Sequence, residues 1–115
     1  FKEHPVEHLA VALDTGHTTV EGTNSWPIQA NLLRPHLGAL YVKDYTRIEN
    51  KKTLVPLGHG NIDSGYPRRL LKSGYTGPVN LQVEYLKPFS KENVPKQIAA
   101  IKRDAATLRK WLGWS

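Results

Sequence analysis

The sequence predicts an α/β fold on a parallel sheet, and three observations predict it. Three short apolar segments, 8–13, 39–43 and 79–84, are each followed by turn residues and then a helical pattern, which gives the order βαβαβα. Helical crossovers join strands that run parallel, with right-handed connections almost without exception. Each strand has one apolar side and one small or polar side, whereas a sheet covered by helices on both faces reads as unbroken apolar runs. That asymmetry fits the lumen of a (β/α) barrel, whose helices cover the outer side alone. The alternative is an open sheet whose second face meets solvent.

Taken in order, the first strand sets Leu9, Val11 and Leu13 against Ala10, Ala12 and Asp14. The first helix starts near Ser25, an N-cap type with Pro27 in the first turn, and runs to His36, where Gly38 stops it. The second strand sets Leu40 and Val42 against Ala39, Tyr41 and Lys43. A long connection from Asp44 to Asp63, rich in Pro, Gly and charge, reads as a loop that carries function. The second helix follows Asp63-Ser64-Gly65 and ends at Ser73-Gly74; the third strand then sets Val79, Leu81 and Val83 against Asn80, Gln82 and Glu84. The last helix begins after Ser90 and spaces Val94, Ile98, Ile101, Ala105, Leu108 and Leu112 along one stripe, a face that packs on a sheet more readily than in a short coiled coil.

The chain has 115 residues, so one domain at most, and its 16 Lys and Arg against 10 Asp and Glu leave it at +6. With no cysteine, disulfide scaffolds and thiolate metal sites are excluded; a reducing, cytoplasmic setting is compatible. No stretch approaches the apolar length of a membrane span, and because the chain opens on Phe1 rather than Met, a leader upstream is left open. The basic charge concentrates after residue 90, where the solvated outer face of a helix explains it better than a nucleic-acid or membrane contact.

On the barrel register Asp14 and Glu84 face the lumen at the carboxyl ends of their strands, the rim where barrel enzymes do their chemistry. Carboxylates aimed into a barrel are costly to desolvate without a cation or a donor. Two converging there suggest a divalent metal, with pairing to a neighbour such as Lys43 as the alternative.

At these residues the sequence resembles the sugar isomerase and epimerase superfamily with the xylose-isomerase-like TIM barrel, to which endonuclease IV is related. Asp14-Thr15-Gly16-His17 resembles the family's strand-six Asp-x-x-His, and Tyr41-Val42-Lys43-Asp44 occupies its strand-seven His-x-Lys-Asp. Leu57-Gly58-His59-Gly60-Asn61-Ile62-Asp63 resembles its Leu-Gly-x-Gly-x-hydrophobic-Asp loop, and Gly74-Tyr75-Thr76-Gly77-Pro78 its lead into strand eight and the terminal Glu84. The resemblance implies that residues 1–115 are the C-terminal part of a (β/α)8 TIM barrel, about strands 6–8 with their helices, the N-terminal βα units being missing. It implies Asp14 and Glu84 as metal ligands and Glu84 as a catalytic group in proton transfer, with a divalent metal (Mn²⁺, Mg²⁺ or Zn²⁺) as cofactor. His17 is implied as a substrate-binding residue. The departure is Tyr41, which replaces the family's metal-binding His with a neutral phenol, a poor ligand for hard cations.

The chemistry implied is metal-assisted proton transfer next to a carbonyl, on a sugar or sugar phosphate. Lys43 is available to a carbonyl or phosphate, or to an ion pair with Asp14 or Glu84; His59 is a further substrate-binding candidate between two glycines that read as conformational. Asp44 and Asp63 read as a strand-end and a helix-cap residue. Trp26, Trp111 and Trp114 offer sugar-stacking surfaces, although Trp111 and Trp114, at the end of the last helix, suit outside packing or a frayed end better; Lys51, Lys52 and Lys87 are available to a phosphate, but no phosphate-cradling loop stands out. The competing functions are a catalytically weakened sugar-binding barrel, motivated by Tyr41, and an endonuclease-IV-like nuclease, disfavoured because its metal cluster needs more ligands than the two well-placed carboxylates. Open sheet edges imply self-association of the piece by itself.

Overall fold

The computed structural model describes residues 3–5, 7–22, 24–86 and 90–114. It is a mixed α/β structure on a small parallel sheet. The elements are β1 (Val11–Asp14), α1 (Thr15–Glu21), α2 (Trp26–Leu33), β2 (Leu37–Val42), β3 (Asp44–Ile48), β4 (Lys51–Val55), α3 (Tyr66–Lys72), β5 (Val79–Leu81) and α4 (Val94–Leu112). Single 3₁₀ turns at Arg34–His36 and Lys91–Asn93 follow α2 and precede α4. The sheet has the order β1-β2-β5, both pairings parallel, and β3 and β4 form a separate antiparallel hairpin.

The register fixes which residues share a face. Leu13, Leu40 and Val79 are partners across the three strands, as are Asp14, Tyr41 and Asn80 one residue on. The first row is apolar and the second polar, so the alternation expected from the sequence holds across the sheet. Leu13, Leu40 and Val42 are buried beneath Ala30 of α2, Leu70 of α3 and Leu108 and Leu112 of α4, with Leu57 and Ile62 closing the same core. Trp26 packs edge-on against Tyr66 at 5.2 Å and Trp111 lies against the core, so these two indoles serve packing, while Trp114 is exposed. Arg34 ties the end of α2 to α3 through the Ser73 hydroxyl at 2.9 Å and the Ser73 carbonyl.

Several sequence expectations are corrected. The first strand begins at Val11 rather than residue 8, because the N–H groups of His8 and Leu9 donate to the Pro5 carbonyl in a turn; Leu9 is exposed and lies off the apolar face. The connection 44–63 is not a plain loop, since its first half folds into the β3–β4 hairpin. Segment 15–21 forms a helix where none was expected. On α4, Leu108 and Leu112 are buried as the stripe requires, but Ile98 and Ile101 are exposed; the buried line runs through Ala100 and Asp104 instead.

That buried Asp104 has a physical account. Its Oδ2 accepts from the Tyr85 hydroxyl at 2.9 Å, and Arg103 donates to the same hydroxyl at 2.8 Å while its Nε lies 3.6 Å from Asp104 Oδ1. The Tyr85 donor thus accompanies one carboxylate oxygen into the interior and the exposed Arg103 supplies a nearby counter-charge, while the buried Oδ1 accepts no hydrogen bond among the described residues. Burial, and then the bond to the Asp104 carboxylate, hold the Tyr85 phenol above its ordinary value.

Candidate functional site

The site forms where β1, β2 and the segment after β5 end together. Asp14 is the last residue of β1 and the N-cap of α1, its Oδ1 accepting the His17 N–H at 3.0 Å. This bond satisfies one of the free N–H groups at the start of a helix that is poor in strong helix formers. Thr15 then joins α1 to the strand beside it, since its hydroxyl donates to the Lys43 carbonyl at 2.9 Å and accepts from the Lys43 N–H at 3.2 Å. Beyond β5, the Gln82 N–H still donates to the Val42 carbonyl at 3.0 Å, which carries the chain along β2 and brings Glu84 to the same end.

Lys43 is the centre of the group. Its ammonium lies 3.1 Å from Asp14 Oδ2 and 3.1 Å from Glu84 Oε2. The two carboxylate oxygens are therefore no farther apart than twice that distance, on the same side of the sheet. The Lys43 side chain is 7% exposed, Asp14 18% and Glu84 47%, so a buried cation meets one sheltered and one open carboxylate. Burial alone would lower the Lys43 pKa, but hydrogen bonds and charge attraction from Asp14 and Glu84 outweigh it and hold the amine above its ordinary value. Lys43 is thus a permanent ammonium at neutral pH, ill suited to act as an amine nucleophile.

The Lys43 stem is confined by Gly16 and Tyr45. A Cβ at Gly16 would stand 2.3 Å from the Tyr45 ring and 3.0 Å from Lys43 Cγ, so glycine allows the ring and the stem to close over α1. His17 is 56% exposed beside this group, with Nε2 4.0 Å from Asp14 and its ring 6.0 Å from that of Tyr45. Tyr41 shares the polar row with Asp14 and Asn80.

Of the residues singled out in the sequence, Asp14, Lys43, Glu84 and His17 are thus brought together. His59 is not: it is exposed in the 57–63 turn, and among the described residues no hydrogen bond or ion pair joins its side chain to the cluster. Lys51 and Lys52 are exposed on β4, and Lys87 lies outside the described residues. Asp44 and Asp63 are structural; Asp44 opens β3 as a strand-end residue, while Asp63 lies two residues before Gly65, the N-cap of α3, and is not itself the cap. The Asp44 carboxylate accepts the N–H groups of Tyr45, Gly58, Gly60 and Ile62, and Asp63 Oδ1 accepts that of Gly65. Sequence reasoning passed over Tyr45 and Thr15. Tyr45 lies in a segment that reads as loop, and the only hairpin signal there is Asn50, a residue that tolerates the positive φ of the turn.

The described residues do not by themselves fit a divalent cation. The point between the two carboxylates is taken by an ammonium, the neighbouring position in the row is a phenol, and no group of three or more His, Asp or Glu among them could hold a metal. What the arrangement does offer is a fixed positive charge, a half-exposed carboxylate in Glu84 and the exposed imidazole of His17 beside them. No helix among the described residues is long and apolar enough to cross a membrane. No family model and no curated protein matches the chain.

Proposed function

We propose that the chain is the C-terminal part of a xylose-isomerase-like barrel and that its site acts on a sugar or sugar phosphate as an isomerase or epimerase, moving a proton next to a carbonyl. The observation that supports this reading above all is the convergence of Asp14, Lys43 and Glu84 at one end of a parallel sheet, on its polar face. In this reading the chain's own groups carry the proton transfer. An ammonium has three N–H donors and two go to Asp14 and Glu84, so the third meets the substrate's carbonyl oxygen. Glu84, through the oxygen not held by Lys43, takes the proton from the adjacent carbon.

The C–H electron pair becomes the carbon–carbon double bond, and the carbonyl π pair moves to oxygen, where the fixed ammonium stabilises it. Return of the proton to the former carbonyl carbon, with transfer of a hydroxyl proton, gives the isomer; return to the opposite face of the first carbon, by a second acid, gives the epimer. Asp14 holds Lys43 in place and His17 hydrogen-bonds a hydroxyl at the mouth. The triad carries a net single negative charge, which favours neutral hydroxyls at the reacting centre and sets any phosphate away from it.

The test is proton exchange in D₂O. A panel of aldoses and ketoses incubated with the protein is expected to gain deuterium next to the carbonyl, followed by proton NMR, and Glu84→Gln is expected to slow this by about 100-fold or more. A second reading, favoured by Tyr41 in the row where the family resemblance puts a histidine, is a barrel that binds sugars without converting them. Saturable sugar binding with no exchange in any member of the panel would select it.

A further inference from the structure

We propose that Lys43 is the resident cation of this site, its ammonium standing where a divalent ion would bridge Asp14 and Glu84. The inference rests on the reading of these residues as the functional site, but not on sugar chemistry. Divalent ions bind carboxylate oxygens at about 2.0–2.6 Å, so an ion bridging Asp14 Oδ2 and Glu84 Oε2 would occupy the region that Nζ already holds, 3.1 Å from each. The two positive charges repel strongly at such separation, the more so because the Lys43 side chain is nearly enclosed. One of them has to leave.

The structure gives Lys43 little freedom to be the one that leaves. Its backbone is fixed at both N–H and carbonyl by the Thr15 hydroxyl, and its side chain is nearly enclosed. Its Cγ passes so close to Gly16 that a single added methyl there would reach it, with the Tyr45 ring on the same side. The neighbouring side chain in the row, Tyr41, is a phenol, which suits a site that has no cation to ligate. The ammonium also supplies what a metal would supply to the carboxylates, a positive charge 3.1 Å from each that holds them side by side.

Mn²⁺ titration, read by electron paramagnetic resonance of the free ion, tests this without any sugar. Wild type and Lys43→Arg are expected to show no saturable binding at millimolar Mn²⁺. Lys43→Met, which keeps much of the stem and removes the charge, is expected to bind Mn²⁺ at least about tenfold more tightly, and the added Glu84→Gln change is expected to abolish that gain. Equal Mn²⁺ affinity in wild type and Lys43→Met overturns the proposal. Should Lys43→Met fail to fold by circular dichroism, the wild-type titration decides: Mn²⁺ binding that Glu84→Gln removes overturns it, and no saturable binding supports it. Failure here leaves the deuterium-exchange result untouched, and failure of exchange leaves the metal result untouched.

Discussion

Asp63 shows how a single carboxylate links position, charge and pH. It lies just before α3, where Oδ1 accepts the Gly65 N–H at 2.9 Å and Oδ2 meets the Arg69 guanidinium. The Arg69 hydrogen bond, against the opposing effect of burial, holds the carboxyl below its ordinary 3.8. The unfolded chain therefore binds this proton first as pH falls. The stability the group contributes is present above pH 3.8 and is lost as pH drops through the lower folded value. Both partners are substantially exposed, so the contribution is small, about 0.5–1 kcal/mol after screening. Asp63→Asn is expected to cost that much at neutral pH and to flatten the acid limb of the stability curve, measured by urea unfolding across the acid range. The role of Asp63 was legible only in outline: an acid just before a helix suggests a cap, but the N-cap of α3 is Gly65 with no side-chain cap bond, and Asp63 instead accepts the Gly65 N–H and pairs with Arg69. The role of Lys43 was half legible: alternation put it on the face of Asp14 and Glu84, but whether it met them or a ligand depends on the lengths and enclosure of three side chains from separate strands.

At the scale of elements, the β3–β4 hairpin and the 57–63 turn are organised by Asp44, which is 2% exposed. Four backbone N–H groups converge on its two oxygens, and the Asn61 N–H donates to the Tyr45 carbonyl at 2.8 Å, so the turn is folded onto the end of the strand. Gly60 is required by contact rather than by conformation, since a Cβ there would stand 2.3 Å from the Tyr45 carbonyl oxygen. Asp44→Asn replaces one acceptor with an NH₂ group that faces two N–H donors whichever way it turns. The expected loss is about 2–5 kcal/mol, with earlier hydrogen exchange at Gly58 and Gly60, measured by chemical unfolding and amide exchange. A loss within experimental error would show that the turn holds itself. The hairpin escaped the sequence reading because Lys51 and Lys52 mask its alternation, while its reversal depends on Glu49 and Asn50 at φ 50 and 63, values that Asn adopts far more readily than Glu. Helix α1 escaped for a related reason. Its three threonines and valine have weak helix propensity, and it is held by Asp14 and by the Thr15 link to Lys43, which are contacts between elements rather than local preferences.

For the whole molecule, the apolar row was legible because alternation is local and three strands repeat it, whereas the polar row says nothing by itself about what faces it. β1 and β5 each pair on one side with β2, so both edges of the described sheet present unpaired backbone groups. Ile28 and Leu32 on α2 and Ile98 and Ile101 on α4 add exposed apolar surface. Backbone edges and apolar side chains left in water both favour association, and a small sheet has little buried surface with which to resist unfolding. The chain is therefore expected to self-associate at micromolar concentration, with a sedimentation coefficient that rises on concentrating the sample and an unfolding midpoint that moves with it. Contacts that cover an edge also bear on the site, because Glu84 is the open member of the triad at 47% exposure and any wall closing over it would strengthen its attraction to Lys43. Association and proton exchange should accordingly rise together if covering the mouth completes the site. A concentration-independent monomer with a single sharp unfolding transition would refute the expected association, and would mean that three strands and their helices suffice to hold Asp14, Lys43 and Glu84 in place.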